Sequence, residues 1–358
     1  MTAPLTLGFL SPHSAYDRQA FSGTAFFAAR ALGRVPGVDL RILGHRPVSR
    51  LRRRLGRFVP VPGLDLDRID LSGLDAVLGM VATRELAALA DRTDIPLVHV
   101  TDATTGFLRE YYRRAVPEAA DTLERRVVRG AARTVYSSHY MADRARVEYG
   151  AEGPPRVSAV PFGVNLDTPP EALPDKPAPA PLKLLYIGTH WARKGGAIAL
   201  AAVDALCARG VAAEITLVGS VPAEVTERPG VRIAGFLDKN DPAAAARLDR
   251  LLAEAHLFVL PTRADCTPMV VAEANTFGTP VLITETGGIG SLVTEGVNGR
   301  MLPVEAPPEA WAQAIAEMTA DPGAWAAMSQ ASFAHARDRL SWQVWARDLA
   351  RIAREAAA

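Results

Sequence analysis

Two stretches of this sequence place charged residues beside glycines at the ends of apolar runs, an arrangement suited to an anionic, hydroxyl-bearing ligand. The first is LLYIGTHWARKGG, Leu184 to Gly196. A run typical of a buried strand leads into a turn carrying Arg193 and Lys194, and Gly195 and Gly196 open the helix that follows. Ligands of open α/β sheets bind beyond the carboxyl ends of strands, and helix N-terminal amides attract anions. A pair of cations there suits a diphosphate, although a solvated basic turn has the same composition. The stretch is neither a Walker P-loop nor a GxGxxG fingerprint. The second is HLFVLPTRADCTPMVVAEANTFGTPVLITETGG, His256 to Gly288. Its strand ends at Pro261, its loop carries Asp265, and Thr267 and Pro268 read as N-cap and first helical position. Glu273 then lies just over one turn into the helix, where a carboxylate can accept hydrogen bonds from both hydroxyls of a ribose while the helix dipole attracts phosphate. Taken singly, Glu273 also fits a helix-surface charge and Asp265 a turn former.

Positioning such groups requires strands that stop at a common edge. After residue 181 the sequence supplies them as short apolar runs: LKLLYIG (Leu182 to Gly188), AEITLVG (Ala213 to Gly219), VRIAGF (Val231 to Phe236), HLFVLP (His256 to Pro261) and PVLIT (Pro280 to Thr284). Near-continuous apolar runs separated by helical segments are the pattern of parallel strands covered on both faces. Earlier in the chain LTLGFL from Leu5, DAVLGM from Asp75, PLVHV from Pro96 and TVYSS from Thr134 read the same way, with helices over Gly23 to Leu32 and His139 to Tyr149. Between the halves lies NLDTPPEALPDKPAPAP, Asn165 to Pro181, whose prolines deny the backbone donors that regular structure needs. It reads as a semi-rigid linker. A final amphipathic segment from Ser341 places Trp345, Leu349 and Ile352 on one helical face.

A chain of 358 residues exceeds what one core usually organises. Lys and Arg (40) balance Asp and Glu (39), so no global field directs the protein to nucleic acid. Cys207 and Cys266 lie too far apart to suggest a metal cluster or disulfide framework, which fits a reducing, cytoplasmic setting. The N-terminus lacks the pattern of a secretory leader, and no run is long and apolar enough to span a membrane.

Taken together, the motifs resemble the large family 4 of retaining glycosyltransferases with the GT-B fold. Asp265-x7-Glu273, followed by EANTFGTPV and the turn Thr286 to Gly288, is similar to that family's E-x7-E donor site. GTHWARKGG resembles its phosphate-binding turn, and GVNGRMLP, Gly296 to Pro303, its downstream loop. The resemblance implies that Asp265 meets the donor sugar, that Glu273 holds the ribose, and that Lys194 neutralises the leaving diphosphate. It adds Gly188, Thr189, Arg193, Cys266, Thr267 and Met269 as donor-binding neighbours. Asp265 stands for a more usual glutamate, Thr189 for a common arginine that Arg193 could replace, and Pro268 for a frequent glycine. In the N-terminal half, FSGTAFFAARAL resembles the family's glycine turn, with Gly23 and Ser22 near donor and acceptor. In PLVHVTDATTGF the register assigns Asp102 to the sugar-recognising position, and His99 reads as a strand residue.

The architecture implied is α/β of GT-B type, with two doubly wound Rossmann-like domains facing a cleft. Its expected parts are an acceptor-side domain over 1–168, a Pro-rich linker over 169–181, a nucleotide-sugar-binding domain over 182–340, and a terminal helix over 341–358 packing back on the first domain. The implied reaction moves a sugar from a nucleoside diphosphate to an acceptor the sequence does not identify, with retention and without a metal or other cofactor. An epimerase or hydrolase using the same donor, or a non-catalytic nucleotide-sugar-binding subunit, are the alternatives. DLD, Asp65 to Asp67, reads as a chance match to a metal motif. RILGHRPVSRLRRRLGRF, Arg41 to Phe58, holds seven arginines and no acid. If Val48 to Phe58 is helical, Arg50, Arg53, Arg54 and Arg57 line one face, suited to an anionic membrane surface at the inner face of the membrane or to a solvated exterior.

Overall fold

The computed structural model describes residues 4–18, 20–44, 66–150, 156–177 and 179–358. The chain divides into two compact units, one formed by Met1–Gly163 with Trp342–Ala358 and the other by Val164–Ser341. Each contains a six-stranded sheet whose pairings are all parallel.

In the first unit the strands are β1 (Leu5–Leu10), β2 (Val38–Ile42), β3 (Ala76–Met80), β4 (Leu97–Thr101), β5 (Arg133–Tyr136) and β6 (Val157–Ala159), ordered β2-β1-β3-β4-β5-β6. In the second they are β7 (Leu182–Gly188), β8 (Ala213–Gly219), β9 (Val231–Gly235), β10 (Leu257–Leu260), β11 (Val281–Thr284) and β12 (Gly299–Leu302), ordered β12-β11-β10-β7-β8-β9. Central strands are buried along their whole length, as in β3, β4, β10 and β11. Covering helices seal both faces of such strands, which is why their sequences are uniformly apolar. The order in the second unit reverses between β7 and β10. That switch point opens a crevice beyond the carboxyl ends of those strands, and both motif loops leave from there.

The helix Trp342–Ala357 groups with the first unit and buries Trp345, Leu349 and Ile352. Trp342 stacks on Phe162 with ring centroids 5.8 Å apart. Gly163 lies so close beneath it that a Cβ would fall 2.2 Å from the Trp342 nitrogen. Next in sequence, the Val164 amide donates to the Leu340 carbonyl at 2.8 Å.

The Pro-rich segment groups with the second unit. Lys176, within it, is half-buried, and its ammonium donates to the carbonyls of Leu252 and Ala255 at 3.1 and 3.0 Å and to Thr279 Oγ1 at 2.6 Å. Proline removes donors from this segment, but a lysine side chain supplies three. Arg41 belongs to β2 and donates to the Ser72 carbonyl at 2.9 Å, so the basic stretch begins in a strand. Arg50, Arg53, Arg54, Arg57 and Asp65 lie outside the described residues. Asp67 is exposed in a short turn with Arg92 at 3.4 Å. No group of residues able to hold a metal ion occurs among the described residues. Nor, among them, is any helix long and apolar enough to cross a membrane.

Candidate functional site

The turn after β7 is built on close backbone approach. At Gly188 a Cβ would lie 2.5 Å from the Tyr186 hydroxyl and 3.0 Å from Lys194 Cβ. Gly195 has φ +71°, and a Cβ there would sit 1.8 Å from the Pro261 carbonyl oxygen, so only glycine lets this turn press against the end of β10. The helix Gly196–Ala208 then starts from a cap position without a side chain. The Trp191 ring packs so closely on Gly196 that a Cβ there would lie 2.2 Å from it, and the Gly196 amide donates to the Trp191 carbonyl at 3.0 Å.

The turn and the loop after β10 are hydrogen-bonded into one body. The Arg193 carbonyl accepts from the Arg263 amide at 2.8 Å and from Thr262 Oγ1 at 3.3 Å, while Arg193 Nη1 donates to the Ala264 carbonyl at 2.8 Å. Lys194 Nζ donates to Asp265 Oδ2, and Arg193 Nη1 stands 4.0 Å from the same oxygen. Asp265 is only 5% exposed. Its carbonyl accepts from the Gly288 amide at 3.2 Å, which draws in the glycine turn after β11. The structure thus brings together Lys194, Arg193, Asp265 and the Thr286 to Gly288 turn, with Cys266 buried alongside. Asp265 is the counter-ion of the basic turn and no simple turn former.

Glu273 is not a helix-surface charge. It sits in the helix Met269–Thr276, which buries every residue from Val271 to Thr276, and it is 1% exposed. Pro268 is the N-cap, one place later than expected, because its ψ of 96° keeps it extended. One oxygen of Glu273 accepts from Lys239 Nζ at 2.5 Å. The other, Oε2, is buried without a hydrogen-bond partner. An ionised carboxylate offers about four lone-pair sites, so an unused oxygen in so dry a place leaves acceptor capacity for a ligand hydroxyl. Lys239, beyond the carboxyl end of β9, was not singled out from the sequence. A lysine following a strand was its sole local signal.

In the first unit Phe21, Ser22 and Gly23 take successive left-handed conformations with φ 50°, 57° and 84°. For the two non-glycine residues this costs roughly 1–3 kcal/mol each and points to a functional turn. A Cβ on Gly23 would meet the Arg18 carbonyl oxygen at 2.5 Å. Asp102 follows the carboxyl end of β4 and is partly exposed. His99 lies within β4, wholly buried, with Nε2 3.1 Å from Thr83 Oγ1. Burial lowers its pKa to about 4.

Glu124 underlies the segment after Asp102. Its Oε2 accepts from the Thr105 amide at 2.7 Å and from the Tyr149 hydroxyl at 2.8 Å. Burial raises its carboxyl from an ordinary 4.5 to about 7. Between these values the folded protein binds more protons than the unfolded chain, so this group's contribution to stability falls as pH rises from 4.5 to about 7. Glu124→Gln should therefore flatten that part of the stability profile and melt above the parent at pH 8. Thermal melts at pH 5 and pH 8 check this, and an unchanged slope would contradict it.

Residues 181–321 match the family described as Glycosyl transferases group 1. This segment contains Lys194, Lys239, Asp265 and Glu273. Among curated relatives, a D-inositol 3-phosphate glycosyltransferase of Paenarthrobacter aurescens is 27% identical over 304 residues, 78% of this chain and 73% of the relative. That of Segniliparus rotundus is 27% identical over 279 residues, 72% of this chain and 60% of the relative. This chain is a glycosyltransferase. The fold agrees across nearly the whole chain of the glycosyltransferase. Sucrose-phosphate synthase from Thermosynechococcus elongatus superposes with TM-score 0.68 over 98% of both chains at 16% identity. HepE of Anabaena, solved with UDP, does so with TM-score 0.65 over 97% of this chain and 99% of that one at 15% identity. The glycosyltransferase has the two Rossmann-like sheets of the GT-B fold, and its charged loops lie at the switch point of the second.

Proposed function

We propose that this glycosyltransferase takes its sugar from a nucleoside-diphosphate donor and retains the anomeric configuration. The unpartnered Oε2 of buried Glu273 carries the reading, because a ribose supplies the hydroxyl donors that such an oxygen lacks. Lys194 and Arg193, in the turn before the helix Gly196–Ala208, supply positive charge for the diphosphate, and Asp265 faces the sugar. HepE, of the same fold, was solved with UDP-glucose, which supports a donor of this class. In the reaction the acceptor oxygen bonds to the anomeric carbon as the bond to phosphate breaks. The acceptor proton passes to the departing phosphate oxygen on the same face. Chemistry of this kind depends on placement and on charge at the leaving group more than on a strong base, and it needs no metal.

Thermal stabilisation by a panel of uridine, guanosine and adenosine diphosphate sugars, with and without EDTA, tests the donor. A ligand at 100 times its Kd should add about 2.7 kcal/mol to stability. Failure of every nucleotide to raise the melting temperature would overturn the assignment. With the donor known, acceptors are best screened starting from inositol phosphates, given the name of the curated relatives. The anomeric proton coupling of the product then reports retention.

A further inference from the structure

We infer that Lys239 is a positioning residue for the donor, turning the Glu273 carboxylate so that a single oxygen is left for the ligand. The inference rests on the reading of Glu273 as the ribose-binding group. A carboxylate with 1% exposure is shut off from water, and among the described residues Lys239 is the cation at hydrogen-bond distance, 2.5 Å from Oε1. By occupying Oε1 it fixes the carboxylate plane and leaves Oε2 as the open acceptor. Asp249, on the helix Pro242–Glu254, has its carboxyl raised by burial and then by the charge of Glu273, while Lys239 acts in the opposite direction and Asp167 adds further negative charge. At Asp249, Lys239 therefore opposes the charge of Glu273 and of Asp167. Without it their mutual repulsion acts on the residue that must present an oxygen to a neutral ribose.

The partners come from different elements. Lys239 follows β9 and Glu273 lies in the helix after β10, so the pair also ties two loops at the carboxyl edge of one sheet. A lysine that served only to stabilise the fold would influence melting and nothing else. One that orients the ribose acceptor must influence nucleotide affinity and donor KM, with kcat much less affected, because the ribose is held equally in ground and transition states.

The test uses calorimetry with UDP and with GDP on the full chain, together with initial rates, for Lys239→Met, Lys239→Arg, Glu273→Gln and the double variant. Lys239→Met should weaken the bound nucleotide about 10-fold or more and raise donor KM alike, in line with the loss of one charge-assisted hydrogen bond. Lys239→Arg should recover most of this loss. The double variant should bind no worse than Glu273→Gln, since the lysine then has nothing to position. If Glu273→Gln weakens binding while Lys239→Met binds and turns over like the parent, the role of Lys239 is refuted and the ribose reading stands. If Glu273→Gln itself binds like the parent, the ribose reading fails. If Lys239→Met lowers only the melting temperature, or if arginine fails to restore affinity while the fold is intact, Lys239 is structural.

Discussion

Replacing Lys194 by alanine is expected to lower turnover by roughly 10² to 10³-fold at saturating donor, the scale seen when one group facing transition-state charge is lost. Lys194 comes from the turn after β7, and its ammonium rests on Asp265, from the loop after β10. In the resting protein it is therefore a poised cation with a counter-ion. When negative charge gathers on the leaving diphosphate, the cation has a stronger partner than one carboxylate. Removing Lys194 also leaves Asp265 poorly neutralised at 5% exposure, with Arg193 Nη1 4.0 Å away as the remaining cation. Breaking a buried pair by deleting one partner typically costs about 3–5 kcal/mol, so melting temperature must be recorded beside the rate. Lys194→Arg separates the two effects, since it keeps the charge. Parent-like turnover in a folded Lys194→Ala protein would exclude the proposed role.

Asp265→Asn is expected to cost turnover on a comparable scale, roughly 10²-fold, yet to leave the free nucleoside diphosphate bound as tightly as in the parent, or more tightly. Positive character develops on the sugar as its bond to phosphate breaks, and the carboxylate is the group proposed to meet it. The same substitution releases Lys194 and Arg193 from their counter-ion, so both become more available to a diphosphate. Glu273→Gln, lacking that compensation, should weaken nucleotide and donor alike. Calorimetry with free diphosphate and initial rates distinguishes the two patterns. Equal weakening of diphosphate binding by both substitutions would show that the sugar and ribose roles are wrongly divided.

The central strands were legible because covering both faces of a sheet makes their sequences apolar throughout. β7 and β8 run over the residues read from sequence, Leu182 to Gly188 and Ala213 to Gly219. The strands that escaped notice, β2, β6 and β12, are sheet edges. β2 exposes Asp39 and Arg41, β6 is three residues long, and β12 carries Arg300. An edge strand has half the neighbours and needs half the apolar pattern. The site was legible where chemistry is local, as in the turn holding Lys194. It was illegible where chemistry depends on a distant partner. Lys239 pairs with an acid 34 residues on, and Lys176 finds its acceptors 76 to 103 residues away, so neither role leaves a pattern a reader could match.

The way the chain leaves and re-enters the first unit makes the second an insert. At one side of each crossing Gly163 touches Trp342, and at the other Val164 is hydrogen-bonded to Leu340. Removing 164–341 would therefore rejoin two residues already in contact, with no spacer required. Ending the chain at 163 would do something different, because it strips away Trp345, Leu349 and Ile352 and opens an apolar face that the first unit cannot cover from its own remaining sequence. For dissection by truncation, the first unit draws on both Met1–Gly163 and Trp342–Ala358, and an internal deletion respects it where a cut at 163 does not.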